Sequence, residues 1–275
     1  KNDVNFKILQ RGKPYTLIKY KPDYARFKVN GLTNDMYNIM RRRVYDLSAC
    51  TGSNCMVYLN DDKIDCKSLD KYANYYLGSI QDNPRAYERV SSRWEIVVAL
   101  NPFQSFEQVS FVNGICTYRG GKHVDYILNQ IVKKLGDYIQ KKKKIKVKTN
   151  FIKDNIMLFI KCSIDNPAFN SQTKEYLTTN KEKFGSKCDI SDKFINNQVA
   201  KIGIIERAIE LNEMKENKNL KKTDGKKQNR LKGIPKLEDA NWAGGKKSKE
   251  CTLILTEGDS AKAMAMAGMA IVGRD

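Results

Sequence analysis

RWEIVVALNPFQSFEQVSFVNGICTYRGGKHVDYILNQIVKKLGDYIQ, residues 93–140, decides the fold class. Its first half holds three strand patterns close together, Arg93–Leu100, Glu107–Asn113 and Ile115–Arg119. Its second half changes period. Tyr126, Ile127, Ile131, Leu135 and Ile139 recur at helical spacing and predict a helix over His123–Gln140, with Gly120-Gly121 as the turn into it. A further strand is expected at Ile156–Ser163. After a polar loop comes a long amphipathic helix, Ser191–Lys215, whose buried face is Ile195, Val199, Ile202, Ile205 and Ile209. A strand cluster, a crossing helix and another strand make an α+β domain over residues 67–215.

Upstream, PYTLIKYK (14–21) alternates as a half-buried strand would. Residues 34–47 place Met36, Ile39, Met40, Val44 and Leu47 on one helical stripe, and CMVYLN–DD–KIDC reads as a hairpin with Asp61 and Asp62 at its turn. This block, to residue 66, is too small for a domain of its own. Downstream, between Lys215 and Lys236, basic residues outnumber acidic ones nine to two, which reads as an exposed linker or a nucleic-acid-facing segment. TLILT (252–256) then reads as a buried strand. It leads through Glu257-Gly258-Asp259-Ser260 into an Ala/Met-rich helix to about Ala270, with another strand from Ile271. A parallel strand–helix–strand unit needs more strands and covering helices, so the chain is expected to be a piece of a larger protein.

The 275 residues carry 50 Lys+Arg against 31 Asp+Glu, a formal charge of +19 with a single histidine, His123. Length suggests roughly two domains, and the charge predicts a polyanionic partner, nucleic acid before an anionic membrane surface. No apolar run reaches the ~20 residues of a membrane helix. The seven cysteines are scattered and odd in number, as expected of reduced thiols acting as small hydrophobes. Cys50 and Cys55 lack a CxxC spacing, and no zinc site is expected.

Three places carry candidate chemistry. Glu257 directly follows an expected strand end, where a carboxylate can hold Mg²⁺ or move a proton in phosphoryl transfer. The same spacing also fits a solvated loop acid, with Asp259 capping the helix. Ser171-Gln172-Thr173-Lys174-Glu175 offers an amide and an ammonium two residues apart on a polar loop, able to reach phosphate oxygens or simply to be solvated. Lys141–Lys144, continued by Lys146 and Lys148, suits phosphate contacts made without base reading, or else a charged loop in water. His123 has no nucleophile pattern near it, and Gly244-Gly245-Lys246 lacks the spacing of a phosphate-binding loop.

Five segments, in order along the whole chain, resemble one family, the eukaryotic-type type IIA DNA topoisomerases. Thr252–Lys262 (TLILTEGDSAK), with Gly268 and Val272–Asp275 (VGRD), is similar to the start of the Toprim domain. Lys232–Leu237 (KGIPKL) and Asp239–Asn241 match the stretch before it, in the single-chain eukaryotic or viral form rather than the shorter bacterial PGKL. Ser171–Glu175 looks like the QTK loop of the transducer domain, which FVNG (111–114) and GGKHVDY (120–126) also fit. KYKPDYARF (19–27) and RRVYD (42–46) resemble the last part of the ATPase domain.

The resemblance implies the tail of a GHKL ATPase domain over 1–66 and a transducer domain with a left-handed βαβ crossover over 67–215. A basic linker over 216–249 and the first β-α unit of an α/β Toprim domain over 250–275 would follow. By the same resemblance, Gln172, Thr173 and Lys174 form the loop that reaches into the ATP pocket, with Gln172 and Lys174 at the terminal phosphate. Lys141, Lys142 and Lys143, continued by Lys144, correspond to a loop that approaches double-stranded DNA. Glu257 corresponds to the glutamate that binds Mg²⁺ and assists strand cleavage. The implied parent is a nuclear homodimer, or one at a cytoplasmic replication site if viral, with no membrane association. It breaks a duplex through a phosphotyrosine linkage, passes another and reseals the break. Its ATP-binding asparagine and glycine-rich lid would precede Lys1, and its Asp-rich motif and nucleophilic tyrosine would follow Asp275. The chain alone is therefore expected to be inactive. Two other classes compete: a Toprim nuclease or primase, which has no reason to carry residues 171–175, and a non-enzymatic basic DNA-binding module.

Overall fold

The computed structural model describes residues 14–52, 54–223 and 236–273. Its centre is a five-stranded sheet built from β3 (Arg85–Ser91), β4 (Trp94–Leu100), β5 (Glu107–Val112), β6 (Ile115–Cys116) and β7 (Ile156–Cys162), in the order β3-β4-β7-β5-β6. β4 pairs with β3 and β7 antiparallel, whereas β5 and β7 run parallel. The parallel pair forces a crossover, made by α3 (Lys122–Lys143) and α4 (Thr149–Lys153). The β5–β6 turn is Asn113-Gly114, both at positive φ (50° and 77°), as a two-residue hairpin turn requires.

β4 and β7 are apolar on both faces because helices cover both. Trp94, Ile96, Val98, Leu158 and Ile160 face one core with α3, α4, α5 (Asp192–Asn197) and α6 (Ile204–Thr223). Val97, Ala99, Phe111, Met157 and Phe159 face a second core. There they meet the end of α1 (Asn34–Cys50), the hairpin β1 (Tyr58–Leu59)/β2 (Asp62–Lys63), and α2 (Leu69–Leu77). Lys161 from β7 donates to the Ala49 carbonyl at the α1 C-terminus (3.1 Å) and pairs with Glu95 (2.9 Å), which pins α1 to the sheet. α3 forms with the expected face: Ile127, Ile131, Leu135 and Ile139 are fully buried.

Several expectations are corrected. Residues 14–21 form no strand; Tyr15, Leu17, Ile18 and Tyr20 are exposed, and no described segment pairs with them. The stripe on α1 is mostly in solvent, with Ile39, Met40 and Leu47 exposed, while Asp46, Ser48 and Ala49 make the buried contact. The hairpin turns on Asn60-Asp61, both at positive φ, leaving Asp62 in β2. The long helix expected over 191–215 is broken between α5 and α6 by a 3-10 turn, Val199–Lys201, and by Gly203 at φ +88°. α6 then runs on to Thr223, into the segment expected to be linker. Finally, TLILT belongs to no strand among the described residues, with Leu253 and Leu255 exposed, and Ile271 belongs to α7 (Asp259–Val272) rather than to a strand. A strand exists only where neighbours take its hydrogen bonds, and alternation in the chain cannot supply them. Residues 224–235, the centre of the basic linker, lie outside the described residues.

Cys66, Cys116, Cys162 and Cys188 are buried and unbridged. Burial pushes the Cys188 thiol up to about 12 and Cys66 and Cys116 to about 11, so these are inert core residues. Fully buried His123 shares its Nε2 with Thr117 Oγ1 (3.3 Å), while Nδ1 has no partner among the described residues. Desolvation holds this imidazole down to about 3 from an ordinary 6.5. Between those values the unfolded chain binds the extra proton, so stability falls as pH drops through the window. Relative to His123→Gln, the wild type should lose about 1.5 kcal/mol between pH 6.5 and 5. Urea titrations at both pH values check this, and a pH-independent difference would mean that the folded imidazole accepts the proton.

Candidate functional site

The loop carrying Gln172 and Lys174 is a hairpin-like excursion between β7 and α5. Phe169 and Leu177 close it as an antiparallel bridge, and Asn170 exchanges hydrogen bonds with Tyr176, whose N–H donates to its Oδ1 (3.2 Å). At its tip Lys174 N–H donates to Ser171 O (3.1 Å), and the Ser171 and Thr173 hydroxyls share a proton at 2.8 Å. Gln172, Thr173 and Lys174 are all exposed. Lys174 takes a positive φ of 59°, and its Nζ stands 6.0 Å above the Phe169 ring, with no carboxylate among the described residues paired to it. The tip therefore presents an amide and an ammonium that no described protein acceptor occupies, which is chemistry suited to an anionic oxygen.

Two anchors hold the base of the loop. Arg93, at the β3–β4 turn, binds Asp165 (2.7 Å), Gly185 O (3.1 Å) and Ser163 O (3.0 Å). On the other side Leu177 sits fully buried against Gly120-Gly121, at the start of α3.

Lys141–Lys143 form the last turn of α3, where positive charge complements the helix dipole, and Lys144 caps it in the left-handed region (φ 60°). The next residues, 145–148, belong to no helix or strand. Ile145 and Val147 pack on the core, which leaves Lys144, Lys146 and Lys148 in solvent. This interleaved apolar pair, which charge counting passes over, is what aims these lysines. Counting also misses Lys133 and Lys134. They lie with Lys141 and Lys142 along a cavity of about 710 Å³ between α3 and α5, and Lys134 is bonded to Asp192 there. Their signal is spacing: seven residues separate Lys134 from Lys141, two turns on one face.

The structure does not bring the three candidate sites together. The 171–174 tip and the lysine run stand at opposite ends of α3, whose 22 residues span ~33 Å at 1.5 Å per residue. Glu257 lies on the exposed segment before α7 and has no ion pair among the described residues. Gly258 occupies the N-cap position with no side-chain cap bond, so Asp259 is not the cap; it pairs instead with Lys236 (2.9 Å). Glu238 pairs with Lys262 (3.3 Å). Among the described residues no group of three or more His, Cys, Asp or Glu side chains is placed to hold a metal, and none of their helices could cross a membrane.

The described residues thus form a two-faced α+β domain with an exposed polar loop at one end of a long helix and a lysine run at the other. The family described as DNA gyrase B matches residues 59–227, and the chain belongs to it. It is 44% identical over 282 residues to DNA topoisomerase 2 of Saccharomyces cerevisiae, covering 97% of this chain and 20% of that protein. It is 43% identical to human DNA topoisomerase 2-alpha, covering 96% and 18%. The chain thus spans about a fifth of the length of these relatives. Among solved structures, it resembles the ATPase region of Saccharomyces cerevisiae topoisomerase II (TM-score 0.62, 43% identity, 70% of this chain and 49% of that one). The ATPase and transducer domains of Balamuthia mandrillaris DNA topoisomerase II give a TM-score of 0.65 at 37% identity, covering 71% and 49%.

Proposed function

We propose that this chain is the part of an ATP-dependent type II DNA topoisomerase that carries nucleotide state toward the DNA-cleaving site. The observation that supports this reading most is the exposed Gln172–Lys174 tip, held on a rigid base at one end of α3 while the other end carries Lys141–Lys144. Gln172 and Lys174 offer unoccupied donors for the terminal phosphate of ATP, with Thr173 between them shaping the turn. Lys141, Lys142, Lys143 and Lys144 contact double-stranded DNA through its backbone. Residues 1–66 end an ATPase domain, 67–215 form the transducer, 216–249 a linker and 250–275 open a Toprim domain. The full enzyme is a nuclear homodimer.

Glu257 supplies a carboxylate to the cleavage site. Its acidic neighbours Asp259 and Glu238 are taken by lysines, so the described residues do not by themselves make a Mg²⁺ site.

Lys174→Ala tests the sensing role. Removing one charge-assisted hydrogen bond worth ~1.5–3 kcal/mol should lower ATP-driven strand passage roughly ten- to hundredfold. DNA cleavage without nucleotide should stay at the wild-type rate, because the loop is remote from Glu257 in the chain. Parallel loss of both activities in a folded variant would remove the assignment.

The lysine run is tested by charge. Replacing Lys142, Lys143 and Lys144 with Gln should weaken binding to unrelated duplexes alike. The salt slope should fall by up to ~0.9 for each phosphate that the protein no longer neutralises. Fluorescence anisotropy across a salt series reads this, and an unchanged slope would return these lysines to bulk solvent.

A further inference from the structure

The sensing loop meets the start of α3 at one narrow place. Arg119 N–H donates to Glu175 O (3.0 Å), Leu177 N–H to Gly120 O (3.1 Å) and Lys122 N–H to Leu177 O (3.0 Å). These bonds set Gly121 beside Leu177 as a parallel bridge between residues 56 apart in the chain. Gly121 takes φ 141° and ψ −172°, a conformation that side chains other than glycine's strain to adopt. There is no room for a side chain either. A Cβ at 121 would stand 2.5 Å from both the backbone N and O of Leu177 and 2.8 Å from its Cβ. The two backbones touch only because residue 121 has no Cβ.

From this contact α3 runs unbroken to the lysine run, and a hydrogen-bonded helix keeps its length when its end is displaced. We infer that Gly121 is a positioning residue, a latch through which the loop bearing Gln172 and Lys174 and the helix bearing Lys141–Lys143 move as one body. The inference rests on the proposed nucleotide-sensing role of that loop, and it assigns the route by which the loop's state reaches the DNA-facing lysines. The physical warrant is a two-ended rigid element. Three backbone hydrogen bonds fix one end to the loop, and the lysines are part of the other.

Hydrogen exchange in the full-length enzyme tests it. A titration with a non-hydrolysable ATP analogue should slow exchange at 171–177 and change it at 141–148 with one shared midpoint. Different midpoints, or a response at 171–177 alone, overturn the latch and leave nucleotide sensing standing. No response at 171–177 overturns both. Gly121→Ala should raise exchange of the Lys122 and Leu177 amides at least tenfold and abolish the response at 141–148. The response at 171–177 and the protection of β4 and β7 amides should stay as in the wild type. A retained response at 141–148 overturns the proposal. Leu177→Ala removes a buried side chain but keeps the three backbone bonds, so it should lower the melting temperature while the two segments still respond together. If it uncouples them as Gly121→Ala does, side-chain packing rather than close backbone approach makes the connection, and the latch falls. Should Gly121→Ala fail to fold, the wild-type titration alone decides.

Discussion

Glu257→Gln in the full-length enzyme is expected to slow DNA cleavage and religation by about 10²–10³, the loss typical when one electrostatic contributor leaves a reacting phosphate. Its folding and ATP binding should not change. The structure explains why the effect is confined to chemistry. Glu257 is exposed, carries no ion pair among the described residues and follows a segment that pairs with no described strand, so its charge makes no contact among them that the fold depends on. Glutamine keeps the size and one coordinating oxygen and removes the negative charge. Single-turnover cleavage of a duplex at limiting Mg²⁺, beside a melting curve, separates the two effects. Wild-type rates in the variant would end the assignment, and so would a melting temperature that falls in step with the rate.

Trp94→Ala is expected to destabilise this chain by about 3–5 kcal/mol. Trp94 is fully buried in the interior strand β4 and packs against Phe184 (5.9 Å between ring centroids) and Tyr126 (6.2 Å). Its Nε1–H donates to Ser186 Oγ (2.8 Å). Truncation leaves a cavity between the sheet and the loop 165–190 and strips the Ser186 hydroxyl of its donor, and both effects act in the same direction. Trp242→Ala is the control, because that ring is only partly covered and Lys247 stands 4.3 Å above it. Urea unfolding followed by circular dichroism reads both. A cost below about 1 kcal/mol for Trp94 would mean that the site collapses onto the gap.

The three inner strands of the sheet and α3 are legible in the chain because their signals are local, whereas β3 is not among the strand patterns and β6 ends at Cys116 rather than Arg119. The patterns at Arg93–Leu100, Glu107–Asn113 and Ile156–Ser163 match β4, β5 and β7 to within a residue, and the stripe Ile127–Ile131–Leu135–Ile139 marks the helix. Pattern and structure part where partners are missing. Residues 14–21 and 252–256 alternate or run apolar as strands do, yet no described neighbour accepts their backbone bonds. The stripe on α1 has helical period and still faces water, because the buried residues are Asp46, Ser48 and Ala49, with Asp46 bonded to Tyr72 of α2 and Ser48 to the carbonyls of Ile64 and Cys66. Asp46 is tolerated there because Tyr72 O–H donates to it at 2.6 Å.

The site divides in the same way. The chain alone determined the excess of positive charge, the lysine run at the end of α3, the Gln-Thr-Lys triplet on a loop and the carboxylate before α7, because each is a matter of residue type and spacing along a few turns. Only the tertiary structure decided that β5 lies parallel to β7, that Ile145 and Val147 aim the lysines outward, and that Leu177 returns to rest on Gly121. The strand pairing and the Leu177–Gly121 bridge join residues about 50 apart. Their free energy comes from backbone pairing and shared burial, which no local period encodes.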